Sequence, residues 1–166
     1  MEQLFHRRRN VAKGYEPLKK HLEVLDALGP EGMSSDESDV DPTTEQPTYT
    51  VVKPDWRHAD LHNWLKVLDQ LHQRAHINSW STDKRGSFPH IRIGSHRVHK
   101  KVHVPSRLPI NAYDPQWIES RENLYIKHVL CPKTEPYNFT HPSDVIAYVH
   151  PNLSRRLLCL YTFLDF

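Results

Sequence analysis

Glycine, cysteine and long apolar runs are all scarce in this sequence. Only 5 of its 166 residues are Gly, which leaves no glycine-rich loop to wrap a phosphate with backbone N–H groups. The 2 Cys, Cys131 and Cys159, exclude a disulfide framework and a four-thiolate zinc site. That usage fits a reducing compartment, and both thiols are expected to pack as small apolar side chains. The longest apolar run, Leu157 to Leu164 broken only by Thr162, falls far short of the roughly 20 residues a bilayer span requires. Met1 leads into Glu2 and a polar stretch, unlike a secretory signal. The expectation is an intracellular protein, nuclear or cytoplasmic, with no membrane partner. Catalytic motifs are missing too: there is no Gly-x-Ser-x-Gly elbow, and paired carboxylates occur only in a solvated acidic tract. The sequence therefore predicts a chain that is not an enzyme and takes no cofactor.

What the chain has in quantity is proline and segregated charge. Its 13 Pro predict a small core with irregular connections. A net charge of +2 conceals blocks of opposite sign. Residues 34–47 carry Asp36, Glu37, Asp39, Asp41 and Glu45 with no base, whereas residues 84–113 carry Lys84, Arg85, Arg92, Arg97, Lys100, Lys101 and Arg107 with no acid.

Periodicity divides the rest. Residues 1–29 read as an N-terminal helical segment with a basic arm, Arg7-Arg8-Arg9 to Lys13, ahead of leucines at 18, 22, 25 and 28 and a Gly29-Pro30 stop. A helix this short is marginal alone and needs a partner. Residues 30–53 have little to bury and read as a disordered acidic linker, with Tyr49–Val52 as a brief β-prone exception. Residues 54–150 read as a small helical domain around one long amphipathic helix from about Asp55 to Asn78. Leu61, Trp64, Leu65, Leu68, Leu71 and Ala75 share a face roughly 120° wide at about 100° per residue. That domain includes a basic proline-rich loop at 79–113, where alternating apolar positions around Gly94-Ser95 suit a β-hairpin and Pro89, Pro105 and Pro109 suit an extended loop. Asp114-Pro115 reads as a helix N-cap followed by Pro at the first helical position. Leu124–Leu130 reads as a short strand, His141-Pro142-Ser143-Asp144 as the opening of a short helix that runs through Val149, and 151–166 as an apolar C-terminal extension. The fold class expected is mostly α, a small irregular single domain with a possible short β-hairpin and the disordered linker.

Three stretches carry a family resemblance. Leu28-Gly29-Pro30-Glu31-Gly32-Met33-Ser34-Ser35-Asp36-Glu37-Ser38-Asp39 is the first, and Trp56-Arg57 with Trp64-Leu65 the second. The third is Leu108-Pro109-Ile110-Asn111-Ala112-Tyr113-Asp114-Pro115-Gln116-Trp117-Ile118, followed by Pro136-Tyr137-Asn138-Phe139-Thr140-His141. Together, over about residues 15 to 145, they resemble a lineage-expanded protein family of mushroom-forming (basidiomycete) fungi to which no activity is assigned. The chain departs from that pattern at Ala112, where the family has an aromatic, and over 154–166. The resemblance implies no catalytic residue.

Three constellations point to chemistry. The seven bases of 84–113 suit phosphate contacts that gain affinity by releasing counterions, with Phe88, His90 and Tyr113 available to stack on exposed bases. Their alternative state is a solvated loop neutralised by the acidic tract. Ser34 and Ser38 each have an acid three residues on, Glu37 and Asp41, the pattern acidic-directed kinases favour. Asp69, His72 and His76 lie along one helix line where an ion could sit, although Gln73 stands where a metalloprotease helix has its general-base Glu. The function expected is a non-enzymatic intracellular interaction module, an accessory nucleic-acid or chromatin-associated protein using 84–113. The alternatives are a protein-protein adaptor with a phospho-regulated acidic linker, and a His-rich metal-binding protein. Its partner would accordingly be nucleic acid or an acidic protein.

Overall fold

Leucine spacing organises the N-terminal segment into three short pieces: α1 (Glu2–Gly14), a 3-10 turn (Glu16–His21) that Pro17 opens, and α2 (Leu22–Leu28). The structure, a computed structural model, describes residues 2–33, 35–40, 47–79, 91–100 and 102–149, with only the backbone described at 35–40, 47–48, 76–79 and 91–96. Leu4, Arg8 and Ala12 recur every fourth residue and bury one line of α1, and α2 buries Val24, Leu25 and Leu28. Gly29 stops α2 in the left-handed region at φ 59°. Gly32 is needed for space, since a Cβ there would run into the Leu28 carbonyl.

The partner this segment requires is α3 (Ala59–Ser79), the one long helix, against which α1 packs. Leu61, Trp64, Leu65, Leu68 and Leu71 are all buried, as their period demands, and share one core with Leu4, Leu18, Leu25 and Leu28. Residues 1–29 are thus part of the same core as α3. Ala75, read as the end of that stripe, is exposed. The basic arm is absorbed as well: Arg8 is buried against Asp69, and Arg9 pairs with Asp26.

The chain also forms a three-stranded sheet in the order β1 (Ser35–Val40), β2 (Pro47–Pro54), β3 (Ile91–His99). β1 pairs antiparallel with β2, from Ser35 opposite Val52 to Val40 opposite Pro47. Over 35–40 and 47–53 the chain thus differs from the unstructured linker read from composition. Backbone ladder bonds require no apolar side chain, and the β-prone Tyr49–Val52 run supplies the template. That run lies in the central strand, between acidic β1 and basic β3. β2 and β3 are parallel, and α3 is the crossover that parallel pairing demands.

No hairpin forms at Gly94-Ser95: Ile91–His99 is one continuous strand, and Val102 and Val104 follow beyond its end. Val51 faces Gly94 and Lys53 faces Val98, so the sheet register shifts there. The glycine that signals a turn in sequence marks an irregularity within a strand in the fold.

Residues 102–149 close over α3. Arg57 and Tyr113 form an isolated bridge, flanked by His58 N–H donating to Ala112 O at 3.0 Å and Asp114 N–H donating to Trp56 O at 2.7 Å. Leu108, Ala112 and Tyr113 enter the core, and the small Ala112 side chain is fully buried. Asp114 caps α4 (Pro115–Glu119), its Oδ1 accepting from Trp117 N–H at 3.1 Å. Asp114→Ala is expected to cost about 1 kcal/mol in urea unfolding; a loss below roughly 0.3 kcal/mol would show the cap to be replaceable by water.

The Leu124–Leu130 stretch, read as a strand, is helical: α5 (Asn123–Tyr125) continues as a π turn at Ile126–Leu130 and ends at Cys131 with φ 44°. No neighbouring strand offers it a ladder among the described residues, and only Leu130 of the stretch is fully buried. Cys131 is exposed, its thiol donating to Lys127 O at 3.1 Å, and does not join the core. The last described helix, α6 (Ser143–Val149), buries Val145 and Val149 against the core, as its sequence pattern requires.

Candidate functional site

The basic segment leaves β3 and runs along the molecular surface. Arg97, Lys100 and Arg107 are exposed, Arg107 with a left-handed φ of 60°. Arg92 lies within the β3 backbone, while Lys84, Arg85 and Lys101 lie outside the described residues, as do Phe88 and His90. Tyr113, expected to stack on bases, is 1% exposed. Its hydroxyl donates to Pro105 O at 2.7 Å and accepts from Leu108 N–H at 3.3 Å, and burial pushes its pKa up to about 12. It fastens the basic segment to the core and has no free face for a base.

Among the described residues, the two charge blocks do not meet edge to edge. Acidic β1 and basic β3 lie on opposite sides of β2, so their backbones are about two strand spacings, roughly 10 Å, apart. Ser38 pairs with Tyr49 in this ladder, and Ser34 lies outside the described residues.

The metal constellation does not assemble around its carboxylate. Asp69 receives Arg8 Nε at 2.8 Å on one oxygen and Arg8 Nη2 at 2.7 Å on the other, while Arg8 Nη1 meets Met33 Sδ at 2.9 Å. This bidentate pair uses both oxygens, and a cation at Asp69 would have to displace a buried guanidinium. His72 is half-buried one turn on, and the His76 side chain lies outside the described residues. Among the described residues no group of three or more His, Cys, Asp or Glu is placed to hold a metal ion.

Beside the basic segment opens a cleft of about 480 Å³, within the size range of small-ligand sites. Val102 and Val104 line it together with Trp117 of α4, Tyr125 of α5 and Arg121 of the turn between them. The Trp117 and Tyr125 rings meet edge to face at 6.5 Å, and the Arg121 guanidinium lies 4.4 Å from the centre of the Trp117 ring. Trp117 is in turn stacked on Tyr113, with ring planes 14° apart, so the aromatic floor is braced from the core. Lys100, Asp55, Ser120 and Glu122 complete the lining. The Ser120 hydroxyl is committed to Trp117 O at 2.6 Å.

Asp55, Arg121 and Tyr125 were not among the residues singled out from sequence. The turn between α4 and α5 brings Trp117, Arg121 and Tyr125 together: Glu122 is extended, so the three do not share one helix and no helical period marks them in the sequence. Asp55 joins them through the sheet, where its N–H donates to His99 O at 3.2 Å.

A second polar cluster is structural. His21, 1% exposed, shares a 2.6 Å hydrogen bond with the Tyr137 hydroxyl, and His141 Nε2 donates to Trp64 O at 2.9 Å while its ring stacks on Trp64. Burial, with the neighbouring His141 and Lys20, brings the His21 pKa down to about 4, and burial chiefly lowers that of His141. These imidazoles are held neutral against an aromatic core.

Fold and site together define a mostly helical domain with a small mixed sheet, a basic strand and an adjoining aromatic cleft. No family model matches the chain, and comparison with curated proteins and solved structures finds no similar one. Among the described residues, no helix is long and apolar enough to cross a membrane.

Proposed function

We propose that this chain is a non-enzymatic interaction module that binds nucleic acid in an accessory or chromatin-associated role. The observation that carries this reading is the run of Arg97, Lys100 and Arg107, exposed on an acid-free segment whose Lys100 lines an aromatic cleft. Bases so placed lie along a surface where a phosphate backbone can replace their counterions. The acidic tract acts within the same sheet, one strand away, as a modulator of that surface. Phosphates on Ser34 and Ser38 would add up to about two negative charges each to it and oppose a polyanion.

The test is fluorescence anisotropy of labelled DNA and RNA at two ionic strengths. Wild-type affinity is expected to fall steeply with salt, and replacing Arg97, Lys100 and Lys101 by Ala is expected to weaken binding at least about tenfold and flatten the salt slope by about three contacts. Exchanging Asp36, Glu37 and Asp39 for their amides should tighten binding without removing the β1 backbone. No binding at low salt, or a triple variant that binds like its parent, would give the surface to an acidic protein and make the chain an adaptor.

A further inference from the structure

The lining of the cleft is electrically mixed. Lys100 and Arg121 oppose Asp55 and Glu122, so the four charges cancel around an aromatic and apolar floor. A plain anion entering it meets two carboxylates, and a plain cation meets two bases. The ligand that fits must offer a flat π face to Tyr125 and Arg121, a negative group to Lys100, and N–H donors to a carboxylate. An unpaired nucleotide has all three: a stacking ring, a phosphate, and amino or imino hydrogens on its base edge. In a duplex those hydrogens are taken by the opposite strand and the ring faces are covered by neighbours, so a duplex does not fit.

We infer that the cleft lined by Val102, Val104 and the α4–α5 turn is a subsite for one unpaired base of a single-stranded nucleic acid. The base lies against Tyr125 and the Arg121 guanidinium, its adjoining phosphate meets Lys100, and Asp55 or Glu122 accepts from its exocyclic N–H groups. This deepens and rests on the nucleic-acid reading, since the cleft shares Lys100, Val102 and Val104 with the basic segment. Arg121 suits the role because its guanidinium, 4.4 Å from the centre of the Trp117 ring, is itself part of the cleft lining, and a planar guanidinium stacks on flat groups. Part of the floor is preorganised as well: Trp117, on which Arg121 rests, is 8% exposed and braced by Tyr113.

The test titrates the full chain against a labelled cytidine-rich RNA strand and against the same strand annealed to its complement. Tyr125→Leu, which keeps an apolar side chain on the core side, and Arg121→Gln, at an exposed position, are compared with wild type after thermal melting shows both folded. Base stacking is worth roughly 1 to 3 kcal/mol, so each variant is expected to lose about fivefold or more in affinity for the single strand and to bind the duplex unchanged. Lys100→Ala should weaken both. If Tyr125→Leu and Arg121→Gln bind the single strand as tightly as wild type, or lose single strand and duplex alike, the cleft holds no base and the inference falls while the proposed function stands. If wild type binds neither at low salt, or if polyglutamate displaces the RNA as well as RNA itself does, the nucleic-acid reading falls with it.

Discussion

Replacing Asp69 by Ala is expected to remove about 3 to 5 kcal/mol of stability, a large part of what a domain of this size possesses. The physical reason is what stays behind. Arg8 is 3% exposed and directs Nε and Nη2 at the two Asp69 oxygens, so truncating the carboxylate strands a buried cation. Its remaining close contact, Met33 Sδ at 2.9 Å, is a weak acceptor. The pair also ties α1 to α3 across 61 residues of sequence, so losing it should loosen the N-terminal segment first. Urea unfolding measures the loss, and hydrogen exchange over α1 locates it. The double change Arg8→Met with Asp69→Leu should recover most of the stability, because apolar groups of similar size need no partner at that depth. A loss below about 1 kcal/mol for Asp69→Ala would mean that water reaches Arg8.

Acidification is expected to have a comparable effect through the histidines. The His21 pKa falls from 6.5 to about 4 on folding, by burial first and then by His141 and Lys20. His62 falls to about 4 as well, by burial and then by Arg57, Lys53, Arg8 and Lys66. A folded-state pKa below the unfolded one means that the unfolded chain takes up protons first. Stability is therefore complete above about pH 6.5 and declines as pH falls toward 4, by about 1.4 kcal/mol per pH unit for each group. Over that window His21 alone accounts for about 3 kcal/mol, and His62 and His141 act in the same direction. Among the described residues the groups shifting His21 supply no carboxylate to compensate it. Urea midpoints at pH 7 and pH 4.5 measure the effect, and His21→Phe should reduce its slope, the aromatic ring still packing on Trp64. A midpoint that does not move between these pH values would sink the assignment of neutral, buried imidazoles.

The N-terminal pieces and α3 show how far local rules reach. Leu61, Trp64, Leu65, Leu68 and Leu71 recur at the helical period, and each is buried. Asp114 followed by Pro115 marks a helix start, and its side chain makes the cap bond. Gly29 ends α2 at the position where a left-handed residue is required. In each case the responsible atoms lie within about one helical turn of one another, so the sequence alone determines the outcome.

The remaining features depend on residues that meet only after the chain returns. Composition makes 35–40 look unable to fold, yet β2 offers it a ladder that asks nothing of its side chains. Alternation around Gly94 suggests a hairpin, but α3 carries the chain back to lie parallel with β2, and the same glycine becomes part of a register shift. Asp69 beside His72 and His76 suggests a metal line until Arg8, 61 residues earlier, occupies both carboxylate oxygens. The cleft gathers Asp55, Lys100, Val102, Val104 and the 117–125 turn from three separate parts of the chain. Sequence by itself determined α3, the Asp114 cap, the Gly29 stop and the charge blocks, because those follow from short-range geometry and composition, whereas the helical 123–130 stretch read as a strand. Tertiary structure alone decided which charges are buried in pairs, which remain at the surface and where an aromatic floor lies beside them, because each depends on contacts between residues distant in sequence.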